Sequence, residues 1–397
     1  MGNASSQPRA GVYFPGIHGH GGAERLALQL ALTLSQLGWE TLLFTDVEVD
    51  RVQIEKEFGA PLHAVEFRVL AAPKLTRSLT GEPRRLLLEG VHARQLRRAR
   101  LDLFVNARFK SSVPGSGREN VYYVHFPQRL ENATRGPMHR LYLAAMSLLD
   151  RTFVQRNHRG FVGTYDHVWA NSAFTASHVE SRWGVGADVV YPPCPQVRPL
   201  PKRKTIAVVS RFQTPRADVP HKAQEYLIDA FLQLTDLHVQ GWTLVMIGGA
   251  EESDQSFIEA LRMRAENAPI ELVPNASRVQ LEQILGSALI YWHAQGVAGD
   301  PIAKPETQEH FGISVVEAMS AKAVPIVFGH AGPAEIVAGL PGDLTWQDDQ
   351  ELVRLTRRVA YALPAELEGV QSATRMRARS FDETHFAAQI AERLGKA

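Results

Sequence analysis

The strongest constraint on this chain is a rhythm that is broken once. Short apolar, β-branched runs alternate with amphipathic stretches along almost the whole sequence. The alternation stops at Pro192 to Lys204, where five prolines and four Lys or Arg residues leave no periodic apolar face. Repeats of strand and helix build parallel sheets joined by crossover helices, so the chain reads as an α/β protein. Before the break, strands are expected at Gly11 to Phe14, Trp39 to Phe44, Leu101 to Val105, Val121 to Phe126, His167 to Ala170 and Val189 to Tyr191. Leu26, Leu30, Leu34 and Leu37 form one helical face ending at Gly38, and Ser172 caps a second helix. After the break, strands are expected at Thr205 to Val209, Thr243 to Ile247, Ile270 to Val273, Ala288 to His293 and Val324 to Phe328. Helices are expected at Gln224 to Leu234, through Leu261, at Gly312 to Ala321, and near 348 to 362 and 383 to 395.

At 397 residues the chain exceeds what one hydrophobic core usually organises. The expected division is a disordered tail at 1–9, a domain at 10–191, a linker at 192–204, a second domain at 205–380 and a final helical segment at 381–397. Two such domains would carry their ligands at the carboxyl ends of their strands.

Charge and cysteine content narrow the function classes. With 43 Lys plus Arg against 42 Asp plus Glu, global charge gives no reason to expect nucleic acid as a partner. The single cysteine, Cys194, rules out an intramolecular disulfide, and its Pro-Pro-Cys-Pro setting reads as structural. No apolar run of membrane-spanning length occurs, so a cytoplasmic location is expected. The opening Met1-Gly2-Asn3-Ala4-Ser5-Ser6 formally fits an acylation pattern, although a plain tail is the simpler reading. A cluster of Arg84, Arg85, Arg94, Arg97, Arg98, Arg100, Arg108 and Lys110 reads first as a solvated face. If several share one side of a helix, it offers peripheral contact with an anionic membrane.

Two segments carry candidate chemistry. The loop Gly16 to Glu24 lies between a strand and a helix, where backbone amides favour an anion and where Gly21 and Gly22 allow close approach. It fails the dinucleotide fingerprint at Glu24, so Asp46 after the second strand is weak support for a nicotinamide site; a plain tight turn is the competing reading. In Pro305 to Val327, Glu309 stands in a loop, Phe311, Gly312 and Ile313 open a helix, and Glu317 follows two turns later. The helix start offers amides to a diphosphate, and the flanking carboxylates offer acceptors to hydroxyl groups. Spacing alone leaves two glutamates on a solvated face as the alternative. His293 ends a strand in the same half of the chain, beside Trp292, for which core packing and ligand contact are both open.

Glu309-His310-Phe311-Gly312-Ile313 through Glu317-Ala318-Met319, continued by Val324-Pro325-Ile326-Val327, closely resembles the two-glutamate signature of glycosyltransferase family 4. The likeness extends to Gly21-Gly22-Ala23-Glu24, Val124-His125-Phe126-Pro127, Ala170 to Thr175, Val190-Tyr191-Pro192-Pro193, and Ser210-Arg211-Phe212 with Lys222 downstream. Part of it also looks like the α-1,2-mannosyltransferases that extend lipid-linked oligosaccharides. The resemblance implies a GT-B fold: two Rossmann-like domains facing a central cleft, the first for acceptor and the second for donor, with the last helix crossing back to the first. It further implies retaining transfer of a hexose from a nucleotide diphosphate sugar to a glycan, lipid-linked or small-molecule acceptor. Arg211 and Lys222 would hold the diphosphate, Glu309 the migrating sugar and Glu317 the ribose, with His125 beside the sugar. No metal cofactor is expected, since cations and helix amides would meet the leaving charge. The chain departs from the family pattern by an insertion between Arg211 and Lys222, and by Ala331-Gly332-Pro333 where a double glycine is common. A non-catalytic nucleotide-sugar-binding protein and a glycosidase are the rival classes.

Overall fold

Strands buried on both faces read as continuous apolar runs, and such runs form the two sheets of the chain. The computed structural model describes residues 7–395 except 18–20, 74, 75, 77, 80, 128–140, 142, 143, 146, 156–159 and 216–221. Two units are present, Met1–Tyr191 together with Ala387–Ala397, and Pro192–Phe386. The expected acylation site lies outside the described residues.

The first unit contains β1 (Arg9–Tyr13), β2 (Glu40–Thr45), β3 (Val65–Val69), β4 (Leu101–Asn106), β5 (Gly117–Val124), β6 (His167–Ala170) and β7 (Asp188–Val189). All pair in parallel in the order β3-β2-β1-β4-β5-β6-β7. Its helices include α1 (Gly22–Gln36), α2 (Arg51–Phe58), α3 (Gly81–Arg98) and α4 (Ala173–Trp183). Leu26, Leu30 and Leu34 of α1 are buried as their spacing requires, and the Ser172 hydroxyl caps α4 by accepting from the Thr175 amide. On one face of the sheet, Tyr13, Phe44, Phe104 and Tyr122 pack with Ala93 and Leu96 of α3.

The second unit repeats the plan. Its strands are β8 (Arg203–Val209), β9 (Thr243–Gly248), β10 (Ile270–Pro274), β11 (Ala288–His293), β12 (Val324–Phe328) and β13 (Thr345–Trp346), in the parallel order β10-β9-β8-β11-β12-β13. Helices follow at α5 (Gln224–Leu232), α6 (Thr235–Val239), α7 (Gln255–Arg264), α8 (Arg278–Ser287), α9 (Ile313–Ser320), α10 (Ala331–Val337), α11 (Asp349–Ala360), α12 (Pro364–Arg379) and α13 (Glu383–Arg393). Trp242, Trp292 and Trp346 are buried in this core, the Trp292 indole donating to the Thr356 hydroxyl at 3.0 Å. Trp292 is therefore a packing residue.

Several boundaries differ from the sequence reading. Arg9, expected in the tail, begins β1: its amide donates to Asp102 at 3.0 Å and its guanidinium to the Ala99 carbonyl at 2.8 Å. Arg203 and Lys204, expected in the linker, already belong to β8, with Arg203 in register with Ala288. The preceding Lys202 donates to the carbonyls of Gly286, Ala288 and Ala321, so the charges of the break are anchors for the second sheet. β5 stops at Val124 and β7 at Val189, short of the expected Phe126 and Tyr191. Cys194 is buried, and its amide donates to the Phe381 carbonyl at 2.8 Å.

Candidate functional site

Each sheet changes winding direction where its first strand meets its fourth, at β1/β4 and at β8/β11. Crevices at the carboxyl ends of such strands are where open α/β sheets take their ligands. In the second unit, four expected site residues gather at this end. Arg211 follows β8 and is exposed, and its carbonyl accepts from the buried Gln224 amide at 2.6 Å. His293 closes β11. Lys222, ahead of α5, places its ammonium 3.9 Å from the Glu309 carboxylate.

Two amides that the sequence reading missed hold this group in place. Lys222 Nζ donates to Gln295 Oε1, while Gln295 Nε2 donates to the Gln308 carbonyl at 3.2 Å. Gln308 in turn donates to the Gly296 carbonyl at 3.2 Å, which ties the loop carrying Glu309 to the turn after β11. Gly296 has φ 103°, and an added Cβ would lie 2.3 Å from Gln308 Oε1, so the backbone there requires glycine.

His293 is the least satisfied polar group of the site. It is 7% exposed, and neither ring nitrogen has a hydrogen-bond partner among the described residues. Burial, reinforced by the Lys222 charge, pushes its pKa down to about 3, so it is neutral at pH 7. A buried imidazole without partners costs free energy unless a ligand completes it.

The helix start follows from glycine chemistry. Gly312 has φ 112° and caps α9 without a side chain, and Phe311 is buried against Phe381 with ring centroids 5.6 Å apart. The helix begins at Ile313, one residue later than expected, because the left-handed Gly312 cannot be part of it. No side chain caps it, and the Val315 amide already donates to the Gly312 carbonyl at 3.0 Å, so the first-turn donors without an intrahelical acceptor are those before Val315. Gly332 seals the other side: its amide donates to the Glu309 carbonyl at 3.1 Å, and a Cβ there would lie 2.3 Å from Phe311 Cα. Glu317 lies on the same helix and is 6% exposed. Rather than standing alone for a ribose, it accepts from Arg278 of α8 at 2.5 Å, and Arg278 also pairs with Glu282 at 2.7 Å. The Arg278 contact is a second omission of the sequence reading, since nothing in the sequence links positions 39 apart.

In the first unit, His125 follows β5 and is 8% exposed. Its Nε2 donates to the Ala107 carbonyl at 2.8 Å, and burial lowers its pKa to about 4 despite that bond. Its ring stacks on Phe109 at 5.8 Å. The fixed Nε2–H leaves Nδ1 as the acceptor of a neutral ring. Gly21 caps α1, and its amide donates to Glu24 at 3.1 Å, so the capping carboxylate already takes that donor. Gly22 is the first residue of α1; His18, Gly19 and His20 of the same loop lie outside the described residues. Among the described residues, no group of three or more His, Cys, Asp or Glu side chains is arranged to hold a metal, and no helix is long and apolar enough to cross a membrane.

Residues 196–341, which contain every site residue of the second unit, match the family Glycosyl transferases group 1. The fold matches solved structures along nearly its whole length. HepE of Anabaena, solved in complex with UDP and glucose, has a TM-score of 0.65 at 18% identity, covering 98% of this chain and 100% of that one. Sucrose-phosphate synthase from Thermosynechococcus elongatus has a TM-score of 0.65 at 16% identity, covering 98% and 99%. The fold is thus the GT-B fold of these solved structures, and the second unit is related to the group 1 glycosyl transferases. Its sequence relatives include the mouse GDP-Man:Man(3)GlcNAc(2)-PP-Dol alpha-1,2-mannosyltransferase, 31% identical over 47% of this chain and 39% of the mouse protein. The human counterpart is 30% identical over the same shares. The chain therefore spans about two fifths of the length of these relatives.

Proposed function

We propose that the chain transfers a hexose, with mannose from GDP-mannose as first choice, from a nucleotide diphosphate sugar to an acceptor with retention of anomeric configuration. The observation that carries this reading is the buried His293, without a hydrogen-bond partner among the described residues, in the same cluster as Lys222, Glu309 and the uncapped start of α9. A neutral hydrogen-bonding ring, a cation, a carboxylate and an uncapped helix start match the sugar and diphosphate of one donor. The sequence relatives named for GDP-mannose favour that donor over the UDP and glucose of the more distant HepE.

In this mechanism the bond from the sugar C1 to the β-phosphate oxygen breaks, and the electron pair leaves with the diphosphate. Arg211, Lys222 and the α9 amides stabilise the growing charge. An acceptor hydroxyl attacks from the same face, and its proton passes to the departing diphosphate oxygen. Glu309 holds hydroxyls of the migrating sugar and Glu317 those of the ribose. The acceptor is a glycan, a lipid-linked glycan or a small molecule.

Incubation of the full chain with a panel of nucleotide sugars, reading released UDP, GDP or TDP, tests the proposal. Release of GDP from GDP-mannose, raised by an acceptor, is expected. Nucleotide binding without release from any donor would leave a binding protein in its place.

A further inference from the structure

The first unit contains a cavity of about 450 Å³ bounded by the backbone of Gly16 and Gly21 and by Glu24, Arg85, Arg108, Phe109 and Lys110. Its electrostatics differ from those of a surface charge run. Glu89 of α3, with no exposed side-chain surface, accepts from Arg85 at 2.7 Å through one oxygen and from Arg108 at 3.1 Å through the other. The Ser112 amide completes it at 3.0 Å. One buried carboxylate thus holds two guanidinium groups side by side, and burial pushes its own pKa up. Such an arrangement is a poor way to gain stability, because desolvating three charges costs more than a hydrophobic substitute would.

What it achieves is preorganisation. Like charges that would otherwise repel are fixed in the cavity wall, and Lys110 adds a third. The five charged groups, three cations against Glu24 and Glu89, leave one net positive charge. Arg108 uses only Nη1 toward Glu89 and Tyr13, so its Nε and Nη2 make no hydrogen bond among the described residues. Those donors suit a tetrahedral oxyanion, for which guanidinium groups are the preferred partners. Phe109, 52% exposed, adds an aromatic face of the kind that packs on a sugar ring, and the same ring stacks on His125.

We infer that this cavity is a phosphate-recognising subsite, in which Arg85, Arg108 and Lys110 bind a phosphate carried by the acceptor while Phe109 covers the adjoining sugar. The acceptor role rests on the glycosyltransferase reading; the phosphate binding does not. A soluble sugar phosphate and a lipid-linked phosphate share this chemistry.

The test measures binding without donor, so its failure is distinct from a failure of turnover. Full-length protein is titrated calorimetrically with glucose 6-phosphate and with glucose. Separately, it is floated with phosphatidylcholine vesicles with and without undecaprenyl phosphate. At least one phosphate probe should bind and glucose should not, and the responding arm identifies the source. Lys110→Gln should weaken that binding about tenfold or more, the scale of a charge-assisted hydrogen bond, with the melting transition unchanged. Arg108→Gln should weaken it as well, with a lowered melting transition because buried Glu89 loses a partner, whereas Lys222→Gln in the second unit should not weaken it. Binding of neither probe, equal binding by wild type and Lys110→Gln, or loss through Lys222→Gln alone would overturn the assignment.

Discussion

At the scale of single residues, the two glutamates of the second unit have different surroundings and should fail differently. Among the described residues the Glu309 carboxylate meets a loosely placed ammonium at 3.9 Å, and it keeps 29% of its side chain exposed, as suits the contact proposed with a transient species. Glu309→Gln should lower kcat about a hundredfold while leaving nucleotide affinity intact. Glu317 is clamped by Arg278, so Glu317→Gln should weaken donor and free nucleotide alike by about 1.5 to 3 kcal/mol and act mainly on KM. Arg278→Gln should reproduce part of that KM effect, and the double variant should cost less than the sum, because both changes break one pair. Equilibrium binding and steady-state kinetics on the three variants check this. The buried histidines give a second expectation. His92 and His125, each at about 4, and His293 at about 3 are depressed from the usual 6.5. Their contribution is intact above the unfolded value and is lost as pH falls through the folded ones. Stability should fall by up to about 1.4 kcal/mol per pH unit for each ring across that window. Urea unfolding between about pH 7 and pH 5 checks it, and His293→Asn should flatten the slope of the second unit's transition. Glu309, Glu317 and Arg211 could be singled out as candidates because their flanking residues form a motif. The partners Arg278, Gln295, Gln308 and Glu89 were not, because contacts between distant positions arise only when the sheet order brings loops together.

At the scale of elements, the sequence reading found strands such as His167–Ala170, Ala288–His293 and Val324–Phe328 with their observed bounds, since buried parallel strands are short, apolar and sharply edged. It passed over β3, whose alternating Val65-Glu66-Phe67-Arg68-Val69 lies at a sheet edge, and α2, α8, α10 and α12, whose apolar stripes are thin. The tips of β8 and β9 approach so closely that a Cβ on Gly248 would lie 1.8 Å from the Ser210 carbonyl oxygen. Gly248→Ala should therefore destabilise the second unit by at least about 1 to 3 kcal/mol and displace Arg211, one residue on. Thermal unfolding and nucleotide titration should move together in that variant. The start of α9 bears on metal dependence. If its amides, Arg211 and Lys222 neutralise the leaving diphosphate, EDTA should leave donor turnover unchanged, and inactivation restored by Mg²⁺ would contradict the assignment.

At the scale of the whole molecule, the first unit is discontinuous in sequence: it takes in Ala387–Ala397 after the second unit has ended. Phe386 and Ile390 of α13 are buried, and Arg393 donates to the Val189 carbonyl at 2.9 Å. A chain ending at Asp382 should lose the cooperativity of the first unit's unfolding while nucleotide still stabilises the second; calorimetry with and without GDP checks this. The same feature sets an order of events at the ribosome. Val189 on the outermost strand of the first sheet waits for a donor 204 positions downstream, a delay of about 10 to 40 s at ordinary elongation rates. Throughout that interval the second unit is still being synthesised while the first presents an incompletely covered strand edge, the kind of surface to which chaperones and other nascent chains bind.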